Sequence, residues 1–278
     1  MPHWLLVLVV VMCCLDAVCL VMLWALRRRG VTLARTKFGP AVLFDTVDDS
    51  GETVRLINVR GTFQSASYVG DDYAELVCLY HQYFAECLDI AGGGRGVGWL
   101  GSACVVGGGG YSFPKWLVAH CPQARVDVVE IDPRMTQLAR QWFFLDRLEE
   151  DFHAERDGRL DLVEGDGWEY LRQSGGRRWD LIVNDAFAGK RPLGALSTEE
   201  GARLIHDHLS EGGLYCANVI SALEGPKAAT LREVAEVFKR ELGHVYVFPE
   251  RPEAPDKRGN NAFVACSQRL PIRAEYEW

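Results

Sequence analysis

A chain of 278 residues has room for one large domain or a large and a small one, and 48% hydrophobic against 24% charged residues is the balance of a protein with a full core. A formal net charge of −8 argues against a nucleic-acid partner held by phosphate neutralisation. Nine dispersed cysteines with no Cys-x-x-Cys pair argue against a disulfide framework or a zinc site, and read as reduced residues of apolar stretches.

Trp4 to Leu26 is an apolar run of 23 residues with a single charge, Asp16. As a helix it would measure about 35 Å, enough for a hydrocarbon layer of about 30 Å. Asp16 costs about 3 kcal/mol near the centre, and the Leu and Val residues return about 0.4 kcal/mol each, so insertion is favoured. A cleaved signal peptide is the rival reading, but it normally begins with a basic cluster. Here Arg27-Arg28-Arg29 follows the run and only His3 precedes it. The expectation is an uncleaved anchor over residues 4–26, with the rest of the chain on the cytoplasmic side.

Three strands are predicted next, at 41–44, 54–59 and 62–68, joined by the turns Asp48-Asp49-Ser50-Gly51 and Arg60-Gly61. Residues 71–88 have helical spacing, with Leu76, Leu79, Tyr80 and Phe84 on a core-like face. That spacing makes Tyr80 and His81 core and helix surface. Residues 91–98 are glycine-rich and predict a flexible connection. The divisions expected are residues 1–30 as anchor, 31–90 as a β-hairpin region with a helix, and 91–278 as a nucleoside-binding catalytic domain.

From Ala103 onward strands and helices alternate. Strands are predicted at 103–106, 126–129, 160–163, 179–183, 214–220, 245–248 and 262–266. Helices are predicted at 114–120, 134–148, 168–172, 198–209 and 227–242. The alternation implies a doubly wound, Rossmann-like α/β sheet with its site at the carboxyl ends of the strands. The turn Gly107-Gly108-Gly109-Gly110 ends the first of these strands, and Glu130 ends the second, 20 residues past Gly110. Four glycines alone would make an ordinary loop. The order strand, glycine turn, helix, strand, acid instead points to a nucleoside, with Glu130 reaching the ribose hydroxyls. Asp166, between Gly165 and Gly167, and Asp185 end the next two strands, so fold geometry would bring three acids to one crevice. Asp166 would accept from an adenine amine, and Asp185 would face whatever lies beyond the nucleoside.

On these residues the sequence resembles the polyamine aminopropyltransferase family, whose best-known members are spermidine synthases. The matching pieces are Gly61-Thr62-Phe63-Gln64, Tyr80-His81, Val106 to Gly109, Val129-Glu130-Ile131-Asp132, Gly165-Asp166-Gly167 and Trp179 to Asp185. The anchor and Gly259-Asn260-Asn261 resemble the membrane-linked bacterial branch. The resemblance implies a class I methyltransferase-like fold and decarboxylated S-adenosylmethionine as aminopropyl donor to a small amine, with no metal. It implies that Gln64, the turn Gly107-Gly108-Gly109, Glu130, Asp166 and Gly167 hold the nucleoside. Tyr80 and His81 would line the acceptor side, and Asp185 would orient and deprotonate the amine. Homodimerisation is left open.

Two positions depart from the family pattern. An acid usually follows the third glycine, where this chain has Gly110, and a second acid usually lies three residues past the catalytic one, where it has Ala188. Leu76-Val77 also stands where the family often has an acidic pair. A buried ammonium without a carboxylate is costly, so these losses weaken the case for a diamine acceptor. Methyl transfer from intact S-adenosylmethionine on the same scaffold is one alternative. A membrane-tethered nucleoside-binding protein without turnover is the other.

Overall fold

The structure is a computed structural model, and it describes residues 3–28, 30–188, 191–192 and 194–278. Helix α1 (His3–Arg28) is long and apolar enough to cross a membrane, and its most apolar stretch is not buried against the rest of the chain. An antiparallel sheet of four strands follows, β1 (Thr32–Thr36), β2 (Gly39–Val47), β3 (Thr53–Val59) and β4 (Thr62–Tyr68), in that order across the sheet. Its buried face carries Ala41, Leu43, Ile57 and Val59, which join the core cluster under the main sheet. Helix α2 (Leu79–Gly92) adds Phe84, Cys87 and Leu88 to the same cluster.

The main sheet has seven strands: β5 (Ser102–Val106), β6 (Arg125–Glu130), β7 (Leu160–Glu164), β8 (Trp179–Asn184), β11 (Leu209–Ser221), β12 (His244–Phe248) and β13 (Gly259–Cys266). Between β8 and β11 lies a small hairpin, β9 (Phe187–Ala188) and β10 (Arg191–Pro192). The main strand order is β12-β13-β11-β8-β5-β6-β7, with β13 antiparallel to both neighbours and the other pairings parallel. The central strands are apolar on both faces, as a sheet covered on both sides requires. One side is covered by α2, α3 (Ser112–His120), α4 (Pro133–Trp142) and α5 (Leu145–Phe152), and the other by α6 (Gly167–Gln173), α7 (Glu199–His208) and α8 (Ala229–Leu242). The order reverses at β5, so the glycine turn sits at the topological switch point where such sheets bind ligands.

Three expectations need correction, and one strand is additional. Residues 71–78 form turns, and the helix begins only at Leu79 because Tyr73 and Leu76 bury themselves as loop residues. The predicted helix 134–148 is two helices, broken where Phe144 takes a left-handed conformation (φ 64°). Residues 91–98 are not a flexible connection: α2 runs to Gly92 and a 3₁₀ segment follows over Gly93–Trp99, fixed by the Trp99 indole donating to the Leu88 carbonyl at 2.8 Å. Strand β1 was not anticipated from the sequence, its Thr-Leu-Ala-Arg-Thr being too polar to stand out.

Candidate active site

Backbone hydrogen bonds continue past the strand ends and lock the catalytic-side loops together. Gly107 N–H donates to Val129 O at 2.9 Å, Gly165 N–H to Glu130 O at 3.0 Å, and Asp185 N–H to Val106 O at 2.9 Å. Gly107 must be glycine: its φ is 95°, and a Cβ there would lie 2.7 Å from the Asp185 carbonyl oxygen. A cavity of about 940 Å³ opens over these loops. Gln64, His81, Gly107, Gly108, Gly109, Glu130, Asp166, Gly167 and Asp185 all contribute to its lining.

Asp185 sits at the wall of this cavity. Its Oδ2 accepts from the Tyr80 hydroxyl at 2.9 Å and lies 3.0 Å from His81 Nε2. Its Oδ1 is buried with no hydrogen-bond partner among the described residues, and so is His81 Nδ1. Burial, then the Asp185 charge, holds the Tyr80 phenol well above the usual range, so it remains a donor. The neighbouring Cys78 thiol is pushed up to about 12, first by burial and then by the charges of Asp185 and Glu250, and it stays neutral. Tyr80 and His81 occupy the first turn of α2, and the His81 ring stacks on Phe113, centroids 5.2 Å apart. Helix packing thus fixes both partners of the carboxylate. An oxygen so held can take a proton from a group that enters the cavity.

Glu130 is 7% exposed and organises the glycine turn. Its Oε2 accepts from the N–H groups of Gly108 and Gly109 at 2.8 and 3.0 Å, and its Oε1 from Asp132 N–H at 2.8 Å. Each carboxylate oxygen has two acceptor sites, so Oε2 is filled and Oε1 keeps one site for a hydroxyl of a bound ligand. Asp166 Oδ1 caps α6 through the N–H groups of Trp168 and Glu169 at 2.9 and 3.2 Å, leaving this acid exposed at the rim. Gly167 is a packing glycine, since a Cβ there would lie 2.2 Å from a Val106 methyl.

Several residues have roles that the sequence alone does not assign. Asp132 caps α4 through Arg134 N–H and accepts Lys37 N–H at 2.6 Å, holding the β1–β2 turn over the cavity. Ser65 and Ser112 line the cavity with their hydroxyls 2.9 Å apart. They explain Gly110: a Cβ at this position would lie 2.6 Å from Ser65 Oγ and 2.9 Å from the Phe143 ring, so no acid fits there. Lys115, fully buried, donates to Ser67 Oγ, Tyr73 O and Phe143 O at 2.7, 2.8 and 2.9 Å. A lysine amid Phe113, Trp116, Leu117 and Val118 was the signal available for it. Among the described residues no His, Cys, Asp and Glu group could hold a metal ion.

The profile of the spermine/spermidine synthase domain matches residues 101–247. This chain belongs to the spermine/spermidine synthase domain family. The polyamine aminopropyltransferase of Vibrio vulnificus is 30% identical over 171 residues, which cover 60% of this chain and 50% of that protein. The eEF1A lysine and N-terminal methyltransferase of Danio rerio is 29% identical over 146 residues, covering 49% of this chain and 20% of that one. The chain therefore spans half the length of the first relative and a fifth of the second. A probable spermidine synthase from Corynebacterium glutamicum superimposes with a TM-score of 0.70 at 21% identity, covering 86% of this chain and 81% of that one. The likeness in fold to that structure thus covers more of the chain than the matched residues 101–247.

Proposed function

We propose that this protein transfers an aminopropyl group from decarboxylated S-adenosylmethionine to a small amine. The observation that carries the reading is the Asp185 carboxylate, held by Tyr80 and His81 at the wall of the cavity that Glu130 and the glycine turn also line. Gln64, Glu130, the turn Gly107-Gly108-Gly109 and Asp166 hold the nucleoside, with Gly167 packing the α6 end beneath it. Tyr80 and His81 border the acceptor amine. The amine lone pair attacks the carbon bound to the sulfonium, the C–N bond forms as the C–S bond breaks, and a neutral thioether leaves. Asp185 takes the proton the amine sheds. The sulfonium already activates the carbon, so the protein contributes alignment and a base.

Methyl transfer from intact S-adenosylmethionine is the second reading, and Gly110 favours it. The family's acid at this place would meet a donor's ammonium, and Ser65 closes off the space. Without that acid the carboxylate of the intact donor meets no like charge there. The Danio rerio relative is named as a methyltransferase.

The test is titration calorimetry of the full chain in detergent micelles with both donors, followed by turnover with primary amines. The proposal expects tighter binding of the decarboxylated donor and its consumption only when amine is present. Preference for the intact donor would transfer the assignment to the second reading, and binding of neither would remove both.

A further inference from the structure

The outward face of the N-terminal sheet is apolar where solvent should favour polar side chains. Opposed residues of neighbouring strands project to one face, so the register Leu33–Val42–Asn58–Phe63 and the pair Phe44–Leu56 define that surface. Leu33 is 50% and Phe63 60% exposed, and the Phe44 and Phe63 rings lie 6.4 Å apart. Arg35 shares the face, and the exposed Lys37 and Arg60 occupy the turns at its cavity end. The acidic turn Asp48-Asp49 lies at the opposite end of the β2–β3 hairpin.

This face is tied closely to α1. Val31 N–H donates to Leu26 O at 3.0 Å, so the residue before β1 is held to the last turn of the helix. Trp4 and Trp24 lie about 30 Å apart along α1 at 1.5 Å per residue, the spacing of the two interfacial aromatic belts of a bilayer. The Arg28 guanidinium sits 4.0 Å over the Trp24 ring, a basic and aromatic pair suited to the headgroup level. Three residues then separate Arg28 from Thr32, a reach of roughly 10 Å to β1.

We propose that the outward face of the N-terminal sheet rests on an anionic phospholipid surface, with Leu33 and Phe63 among the acyl-chain ends and Arg35, Lys37 and Arg60 on the phosphates. The proposal rests on the reading of α1 as a membrane anchor. Phe38 and Arg60 in the turns of this sheet and Thr62 at the start of β4 also line the cavity. The cavity mouth is thereby held at headgroup level, where an amine acceptor dissolved in the interface reaches Asp185 without crossing bulk water.

The test places p-benzoylphenylalanine at position 63, at position 33 and, as a control on the opposite side of the main sheet, at exposed Glu236 of α8. The full chain is reconstituted in vesicles of phosphatidylcholine and phosphatidylglycerol with tritiated acyl chains, washed with alkaline carbonate and irradiated. Lipid label at 33 and 63 severalfold above that at 236 is the expected result. Retention through the wash with no excess label at 33 and 63 overturns the face assignment alone. Crosslinks from position 63 to a second copy of the chain overturn it too, by making the face a subunit contact. Release by the wash overturns the anchor reading, and the proposal with it.

Discussion

At the scale of single residues the site turns on one carboxylate with an uneven set of partners. Asp185 Oδ2 is shared by Tyr80 and His81 while Oδ1 has none among the described residues. Asp185→Asn keeps the shape and removes the proton acceptor. Turnover should fall by about 10²–10⁴-fold, the usual contribution of a positioned general base, while donor affinity changes little. Steady-state kinetics with calorimetric donor binding on the same preparation checks this, and full retained activity would end the role proposed for Asp185. That three acids would stand at strand ends was legible from the sequence, because each closes an apolar run. Their hydrogen bonds were not. Tyr80 and His81 lie in helical spacing that fits a core face equally well, and nothing local reveals that α2 points its first turn at Asp185. The hydrogen bonds of Glu130 to two turn N–H groups also depend on strands separated by a helix.

At the scale of elements, Lys115 joins pieces that the sheet alone leaves apart. Its ammonium reaches Ser67 and Tyr73, at and beyond the end of β4, and Phe143, at the end of α4, with no carboxylate among these acceptors. Burial without a counter-charge lowers its pKa to about 7, against an ordinary value of 10.5. The unfolded chain therefore binds more protons than the native chain between pH 7 and 10.5, so this group's contribution to stability rises with pH across that window and is lowest below pH 7. Lys115→Met removes the slope, which is at most about 1.4 kcal/mol per pH unit. It also leaves the buried Phe143 carbonyl unpaired, at about 1–3 kcal/mol, while the Tyr73 carbonyl keeps the Ser67 hydroxyl at 3.1 Å, and this is set against relief of the desolvation cost. Urea unfolding of both proteins in micelles at pH 7 and pH 8.5 is the measurement. Equal pH dependence in the two would show that Lys115 does not titrate in this range. The same corner explains the missed helix break. Periodicity carries straight through 134–148, but Phe144 turns left-handed, and its ring packs by Tyr73 and the Lys115 ammonium. Tertiary contacts there override the local pattern, whereas the alternating strands and helices, each burying a sheet face, were readable throughout.

At the scale of the whole molecule the charge is distributed against the direction a membrane protein first suggests. The chain carries −8 overall, yet the apolar run is followed in sequence by Arg27-Arg28-Arg29 and the sheet that comes next presents Arg35, Lys37 and Arg60. An acidic body is repelled by an anionic leaflet, while a basic collar of this kind gains about 1 kcal/mol per residue near the surface, falling off within a Debye length of about 10 Å. On the proposed reading of α1 as an anchor, the collar would set which part of the body lies against the bilayer, and the positive-inside bias on which side. The proposed orientation places the folded body in the cytoplasm, where reduced cysteines persist; Cys87, Cys104, Cys121, Cys216 and Cys266 are all buried and unpaired. A carboxyl-terminal green fluorescent protein should therefore fluoresce, and alkaline phosphatase at the same point should be inactive. Replacing Arg27, Arg28 and Arg29 by Glu removes the basic cluster that follows the apolar run and should convert part of the population to the opposite orientation, raising phosphatase activity and lowering fluorescence together. Phosphatase activity in the native sequence would place the body outside. Reporters that read the same with and without the three arginines would mean that something other than this charge sets the orientation.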